Sequence, residues 1–269
     1  MNRTNEKPSP MRMLFPFLTI PLVLYLGACV ALYLFQHSMI YLPQPGNAND
    51  PKSQIALDVA GAKLNVVVQP HTGPKALIYF GGNAENVSFN LTDFARAFPE
   101  HAIYLMNYRG YGGSTGTPSE AVLHADAQVL FDMVQRDHPE IAVVGRSLGS
   151  GVAVRLASTR PVQSLVLVTP YDSMQAMAAA RFPYFPVRWL LTDKFESSRY
   201  ASSLRVPTLI LQAQYDEVIP GASTERLKAA FVPGVARLLV VPNAGHNTIQ
   251  DAPEYMKALR EALGAGTVE

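Results

Sequence analysis

The stretch from Ile141 to Gly151 constrains the chain more than any other. Four apolar, mostly β-branched residues, Ile141-Ala142-Val143-Val144, run straight into Gly145-Arg146-Ser147-Leu148-Gly149. The pattern then changes at once to Gly151-Val152-Ala153-Val154-Arg155-Leu156-Ala157, with helical spacing. Strand, tight turn and helix with a serine at the apex make a nucleophile elbow. The reason is steric: a serine held in a strained turn needs neighbours without bulk two positions away on each side. The turn lifts the Ser147 hydroxyl above the sheet edge, and the first amides of the helix point at whatever it attacks.

A serine is a poor nucleophile without a base, and the base needs an orienting group. Of the six histidines, only His246 lies in a loop just after a C-terminal strand pattern, in Asn243-Ala244-Gly245-His246-Asn247. The C-terminal ends of parallel strands share one edge, which brings His246 to the rim that carries Ser147. Two aspartates also follow strand patterns toward that rim: Asp216 after Leu209–Ala213, and Asp172 after Leu165–Thr169. Both give the order Ser, Asp, His. Asp216 is favoured because its loop is short and leads into a helix, whereas an aspartate before Ser173 could simply cap one. Attack on a carbonyl also needs fixed oxyanion donors. The backbone amide of Leu148 is one, and the amide of Asn83 in Gly81-Gly82-Asn83-Ala84 is the expected other.

The rest of the chain fits an α/β fold with a mostly parallel sheet and helices on both faces. Strands are expected at Gln54–Val59, Lys63–Gln69, Lys75–Phe80, His101–Asn107, Ser164–Thr169, Thr208–Ala213 and Ala236–Val241. Helices are expected at Asn86–Phe98, Pro118–Gln135, Ala222–Phe231 and Ala252–Leu263. From Lys75 onward strands and helices alternate, the mark of a parallel sheet covered on both faces. One segment breaks the alternation: residues 170–206 hold no strand pattern but carry Phe182, Phe185, Trp189 and Leu190. A long apolar, aromatic insertion beside the active edge reads as a lid that forms a substrate pocket, or as short helices that close the core.

Residues 14–35 are uncharged and almost all apolar, long enough to cross a bilayer's hydrocarbon core. Arg3, Lys7 and Arg12 precede them and no charge follows up to Asn49, which places the N-terminus in the cytoplasm and the body across the membrane. The expected division is a cytoplasmic tail (1–13), a transmembrane anchor (14–35), a linker (36–53) and a catalytic domain (54–269). Leu26-Gly27-Ala28-Cys29 offers an alternative, a cleaved lipoprotein lipidated at Cys29. Against it, Val30 to Phe35 stays apolar. A formal net charge of +1 with no basic run excludes a phosphate-tracking surface, so no nucleic acid is expected. No metal or cofactor is implied.

These motifs together resemble the α/β-hydrolase superfamily, and within it the small membrane-anchored α/β-hydrolase domain-containing proteins. Phe80-Gly81-Gly82-Asn83-Ala84-Glu85-Asn86 is similar to that branch's H-G-N-A oxyanion loop, and Asn107-Tyr108-Arg109-Gly110-Tyr111-Gly112 to its D-Y-R-G-Y-G turn. The elbow, Asp216 with Val218-Ile219-Pro220, and Gly245-His246-Asn247 match its three triad regions. One departure stands out: Gly81 occupies the place of the histidine that buttresses the loop in relatives. The resemblance implies a serine hydrolase acting on acyl esters or thioesters of lipids or lipidated proteins. Serine aminopeptidase activity, or a non-catalytic tethered binding protein on the same fold, are the alternatives.

Overall fold

The computed structural model describes residues 10–45 and 54–264, with residues 10–16 as backbone alone. Most of the expected tail, residues 46–53 of the expected linker and residues 265–269 of the catalytic domain lie outside the described residues.

Continuous apolar runs produce the strands β1 (Gln54–Val59), β2 (Ala62–Gln69), β3 (Lys75–Phe80), β4 (His101–Met106), β5 (Glu140–Arg146), β6 (Ser164–Val168), β7 (Thr208–Tyr215) and β8 (Ala236–Gly245). They form one sheet in the order β1-β2-β4-β3-β5-β6-β7-β8. The pair β1–β2 and the pair β2–β4 are antiparallel, and every pairing from β4 to β8 is parallel. Period-two alternation sends Ala76, Ile78 and Phe80 to one face of the sheet and Leu77 and Tyr79 to the other, all fully buried. On the first face α3 (Glu120–Val134), α4 (Leu148–Ala157) and α8 (Gly221–Ala230) lay down Leu123, Phe131, Val152, Leu156 and Leu227. On the second, α2 (Leu91–Ala97) and α9 (Pro253–Leu263) supply Phe94, Tyr255 and Leu259. Helices on both faces explain why the inner strands read as unbroken apolar runs.

The structure departs from the sequence expectations at three places. The Asn86–Phe98 helix begins as a 3₁₀ turn, Val87–Asn90, because the Asn86 side chain accepts from the Ser88 amide and starts the tighter winding. β7 and β8 outrun their apolar cores: beyond an irregularity at Ala213/Tyr215, Tyr215 still pairs with Gly245, and the Gln214 side chain accepts from the Asn243 amide. Backbone pairing, not burial, carries these ends, so hydrophobic pattern could not locate them.

The third departure concerns the apolar helix. α1 (Pro10–Ile40) is 31 residues long and continues five residues past the expected end at Phe35. Gln36 and Ser38 extend it by donating to the carbonyls of Tyr33 and Phe35. Tyr41 follows, buried in the core with its hydroxyl on Asp193, so residues 36–45 are docked structure and not free linker. Phe17–Ile40 has a mean hydropathy of 2.2 over its most apolar window and is a candidate transmembrane span. At 24 residues it is about 36 Å long. The β6–β7 insertion folds as three short helices, α5 (Met174–Arg181), α6 (Val187–Leu190) and α7 (Ser197–Ala201), and lies against α1.

Candidate active site

Strand register assembles the site. Phe80 pairs with Gly145, so the loop after β3 opens beside the turn after β5. Tyr215 pairs with Gly245, so the next residues, Asp216 and His246, emerge side by side. The elbow glycines allow the close approach. A β-carbon on Gly149 would overlap the Phe80 carbonyl, and one on Gly145 would overlap the Gly149 carbonyl and Ala153. Ser147 itself has φ 48° and ψ −116°, a conformation that costs a non-glycine residue about 1–3 kcal/mol and persists only where the surroundings enforce it. Its amide donates to the Val168 carbonyl and its own carbonyl accepts from Ser150.

The structure brings Ser147, His246 and Asp216 into one hydrogen-bonded series. Ser147 Oγ lies 3.0 Å from His246 Nε2, and His246 Nδ1 lies 2.9 and 3.0 Å from the two Asp216 carboxylate oxygens. With Nδ1–H donated to the carboxylate, Nε2 is left to accept from the serine hydroxyl. Asp216 is fixed in turn by the amides of Val218 at 3.0 Å and Ile219 at 2.7 Å. The neighbouring Glu217 carboxylate accepts from the His246 amide, which holds its carboxyl below the ordinary range. Asp172 has different partners: Arg226 Nε donates to it at 2.7 Å, as does the Ser223 hydroxyl. Of the two aspartates, the structure joins only Asp216 to His246.

The amides of Leu148 and Asn83 have no acceptor among the described residues. Both flank the serine: Leu148 begins α4, and Asn83 follows Gly82, whose α-carbon sits so near Ser147 that an added β-carbon would be 3.5 Å from the serine Cβ. Gly81 leaves its side-chain space to the loop itself. A β-carbon there would come within 2.5 Å of Val87 Cγ1 and 3.3 Å of Glu85 Oε2. Tyr108 donates its hydroxyl to the Gly81 carbonyl at 2.8 Å, and Glu85 accepts from the Gly82 amide.

Sequence reasoning missed the brace behind this loop. Arg146, buried just before the serine, donates to Glu85 at 2.9 Å and to the His246 carbonyl and Asn247 Oδ1 at 3.2 Å each. Glu85 also accepts from Tyr79 and Asn90, both at 2.7 Å. One guanidinium thus ties the oxyanion loop, the elbow and the histidine loop together. The signal available was a charged residue inside an otherwise apolar strand end. A second missed contact is Tyr111, which donates to Asn83 Oδ1 at 2.7 Å while accepting from the Leu42 amide at 2.8 Å.

Among the expected pocket residues, Phe182, Phe185 and Leu190 line a cavity of about 520 Å³, together with Val218 and Pro220 of the Asp216 loop. Trp189 does not: it is 81% exposed and borders a separate hollow with Pro183, Pro186 and Arg188. A four-residue helix can turn only part of its surface inward, and here Val187 and Leu190 take that side.

Comparison with known proteins agrees with the architecture. The family model for the alpha/beta hydrolase fold matches residues 65–195, and that for TAP-like protein matches residues 188–267. An uncharacterized protein of Mycobacterium tuberculosis is 33% identical over 267 residues, covering 92% of this chain and 94% of that one. The lysophosphatidylserine lipase ABHD12 of Macaca fascicularis is 29% identical over 197 residues, which span 62% of this chain and 49% of that protein. The esterase Pf2001 of Pyrococcus furiosus superposes with a TM-score of 0.63 at 20% identity, over 83% of this chain and 95% of that one. With an eight-stranded, mostly parallel sheet, an elbow after β5 and these matches, the chain belongs to the α/β-hydrolase superfamily.

Proposed function

We propose that the protein is a membrane-anchored serine hydrolase that cleaves carboxylic ester or thioester bonds of acyl or lipid-like substrates. The observation that supports this most is the series Ser147–His246–Asp216 at a strained elbow. Ser147 Oγ attacks the acyl carbonyl while His246 Nε2 takes its proton. The Asp216 carboxylate holds the ring and stabilises the imidazolium. The developing oxyanion accepts from the amides of Leu148 and Asn83. The imidazolium returns its proton to the leaving oxygen or sulfur, and water, activated by the same imidazole, releases the acid from the acyl-enzyme. No step calls on a metal or cofactor.

The insertion acts as a lid whose apolar residues receive the acyl chain, which favours esters over peptides. A peptidase needs a charged group to hold a free amine. The Asp193 carboxylate is already engaged by Tyr41 and His37, and Glu196 by Arg199. Two measurements test the reading. Ser147 should react with a fluorophosphonate, and Ser147→Ala should abolish labelling while the fold persists; label on another serine refutes the assignment. Hydrolysis of p-nitrophenyl esters should gain efficiency from acetate to at least hexanoate, since each buried methylene contributes about 0.8 kcal/mol. An aminoacyl amide that outperforms every ester makes the protein a peptidase.

A further inference from the structure

We propose that the apolar helix α1 is one wall of the acyl-binding site, so that the acyl chain enters sideways from the bilayer between α1 and the lid. This rests on the acyl-hydrolase reading above and names where that substrate comes from. The 520 Å³ cavity has two sides. One is the lid together with Val218 and Pro220, two and four residues beyond Asp216, and with Ser223 and Arg226 of α8; the other is α1, through Leu32, Gln36, Met39 and Ile40. The spacing of these four residues puts them on a single helix face. The opposite side of α1 carries exposed Val30 and Leu34 and has nothing packed on it among the described residues.

The contact between helix and lid is built, with a pin at each end. Near Ile40, the Gln36 side chain donates to the Leu190 carbonyl at 3.1 Å and accepts from the Thr192 amide at 2.7 Å and hydroxyl at 2.9 Å. Toward the middle of the span, Tyr25 donates to the Tyr184 carbonyl at 2.9 Å, and its ring stacks on Phe185 with centroids 5.5 Å apart. The pins are eleven residues apart on α1, about 16 Å along its axis. Between them the facing side chains are apolar. The lid therefore reaches alongside the candidate span to the depth of Tyr25, and its exposed Tyr184 and Trp189 stand beside lipid-facing helix. An acyl chain moving from the membrane to the cavity passes along mainly apolar side chains, with Arg181, Ser223 and Arg226 as the polar part of the cavity lining. Gln36, whose hydrogen-bonding groups are taken up by the Tyr33 carbonyl of α1, the Leu190 carbonyl and Thr192, offers the chain no unmet polar group.

A photoreactive acyl probe on the full-length protein tests this. An alkyl fluorophosphonate carrying a diazirine near the end of a decyl chain is reacted with the protein in phosphatidylcholine vesicles, irradiated and mapped by peptide mass spectrometry. The expected result is phosphonylation of Ser147 with the photo-adduct on the α1 peptide between Leu32 and Ile40, alone or with the lid. Adducts confined to the lid or to the domain's other helices overturn the inference and leave the hydrolase reading intact; absence of label at Ser147 overturns both. Kinetics supply the second arm. Met39→Trp narrows the cavity from the helix side and should lower the ratio of kcat/KM for decanoate to that for acetate by roughly tenfold or more, the equivalent of about two methylenes lost from burial. Leu34→Trp, on the lipid-facing side, should leave that ratio as it is. An unchanged ratio in Met39→Trp, or an equal loss in Leu34→Trp, is incompatible with α1 forming the wall.

Discussion

Asp216 and Asp172 follow neighbouring strands at the same rim, and only their partners separate them. Asp216→Asn is expected to lower turnover by about 10⁴-fold, because an amide favours the wrong imidazole tautomer. Asp172→Asn should cost far less activity and show its effect in stability instead. Burial pushes the Asp172 carboxyl up, but Arg226 and Ser223 outweigh it and hold it below the ordinary range. A depressed carboxyl stabilises the folded state fully above its unfolded pKa of about 3.9, and that contribution is lost as pH falls through the folded value. Thermal unfolding should therefore find Asp172→Asn less stable than the parent at pH 7, with the gap closing as pH drops below about 4. A gap that persists in acid would mean that the loss is steric. The placement of Ser147, Asp216 and His246 at one rim is legible in the sequence, because each sits just beyond a strand pattern and strand ends share an edge. The roles of Glu85, Arg146 and Tyr111 are not, because they depend on side-chain contacts 28 to 101 residues away in sequence that no strand pattern marks.

At the scale of elements, the sequence shows what burial dictates and hides what backbone pairing or docking dictates. β3, β5 and β6 were legible as apolar runs. The ends of β7 and β8 were not, since Gln214, Tyr215 and Asn243 hold the ladder while exposed. Trp189 was expected in the pocket on composition alone, and only the turn of α6 decides which residues face inward. The end of α1 was hidden in the same way, because Gln36 and Ser38 continue the helix by local hydrogen bonds and Gln36 docks on the insertion, neither of which an apolar run marks. One consequence of that docking is measurable. Leu42, two residues beyond α1, donates its amide to Asn83 Oδ1 and to the Tyr111 hydroxyl, both at 2.8 Å. The end of the helix thus straps down the side chain of the proposed oxyanion residue. Tyr111→Phe deletes the bridging hydroxyl and keeps the ring. It is expected to reduce kcat by roughly tenfold with KM nearly constant, short of the 10²–10³ that follows outright loss of an oxyanion donor. A rise in KM at constant kcat would instead place Tyr111 in substrate binding.

For the whole molecule, the arrangement of helix and body bears on sidedness and processing. α1 runs through Cys29 without a break, and its contacts with the rest of the chain lie on both sides of that residue, Tyr25 before it and Gln36 after it, with Tyr41 held on Asp193 just beyond the helix. Cleavage ahead of Cys29 would remove the Tyr25–Phe185 stack and leave the lid's aromatic tip without its partner. An uncleaved anchor keeps every contact. It also keeps Arg3, Lys7 and Arg12 before the candidate span, and the positive-inside bias is then expected to hold them in the cytoplasm with the body across the membrane. The expected outcome is a mature chain whose mass includes residues before Cys29 and carries no lipid, and a reporter fused after Glu269 that reads as extracytoplasmic. A mature chain starting at a lipidated Cys29 would replace the spanning helix with a lipid anchor and dissolve the Tyr25 pin. A cytoplasmic reporter would mean that the later arginines and lysines outweigh the first three, and the leaflet from which the lid draws its substrate would then be the cytoplasmic one.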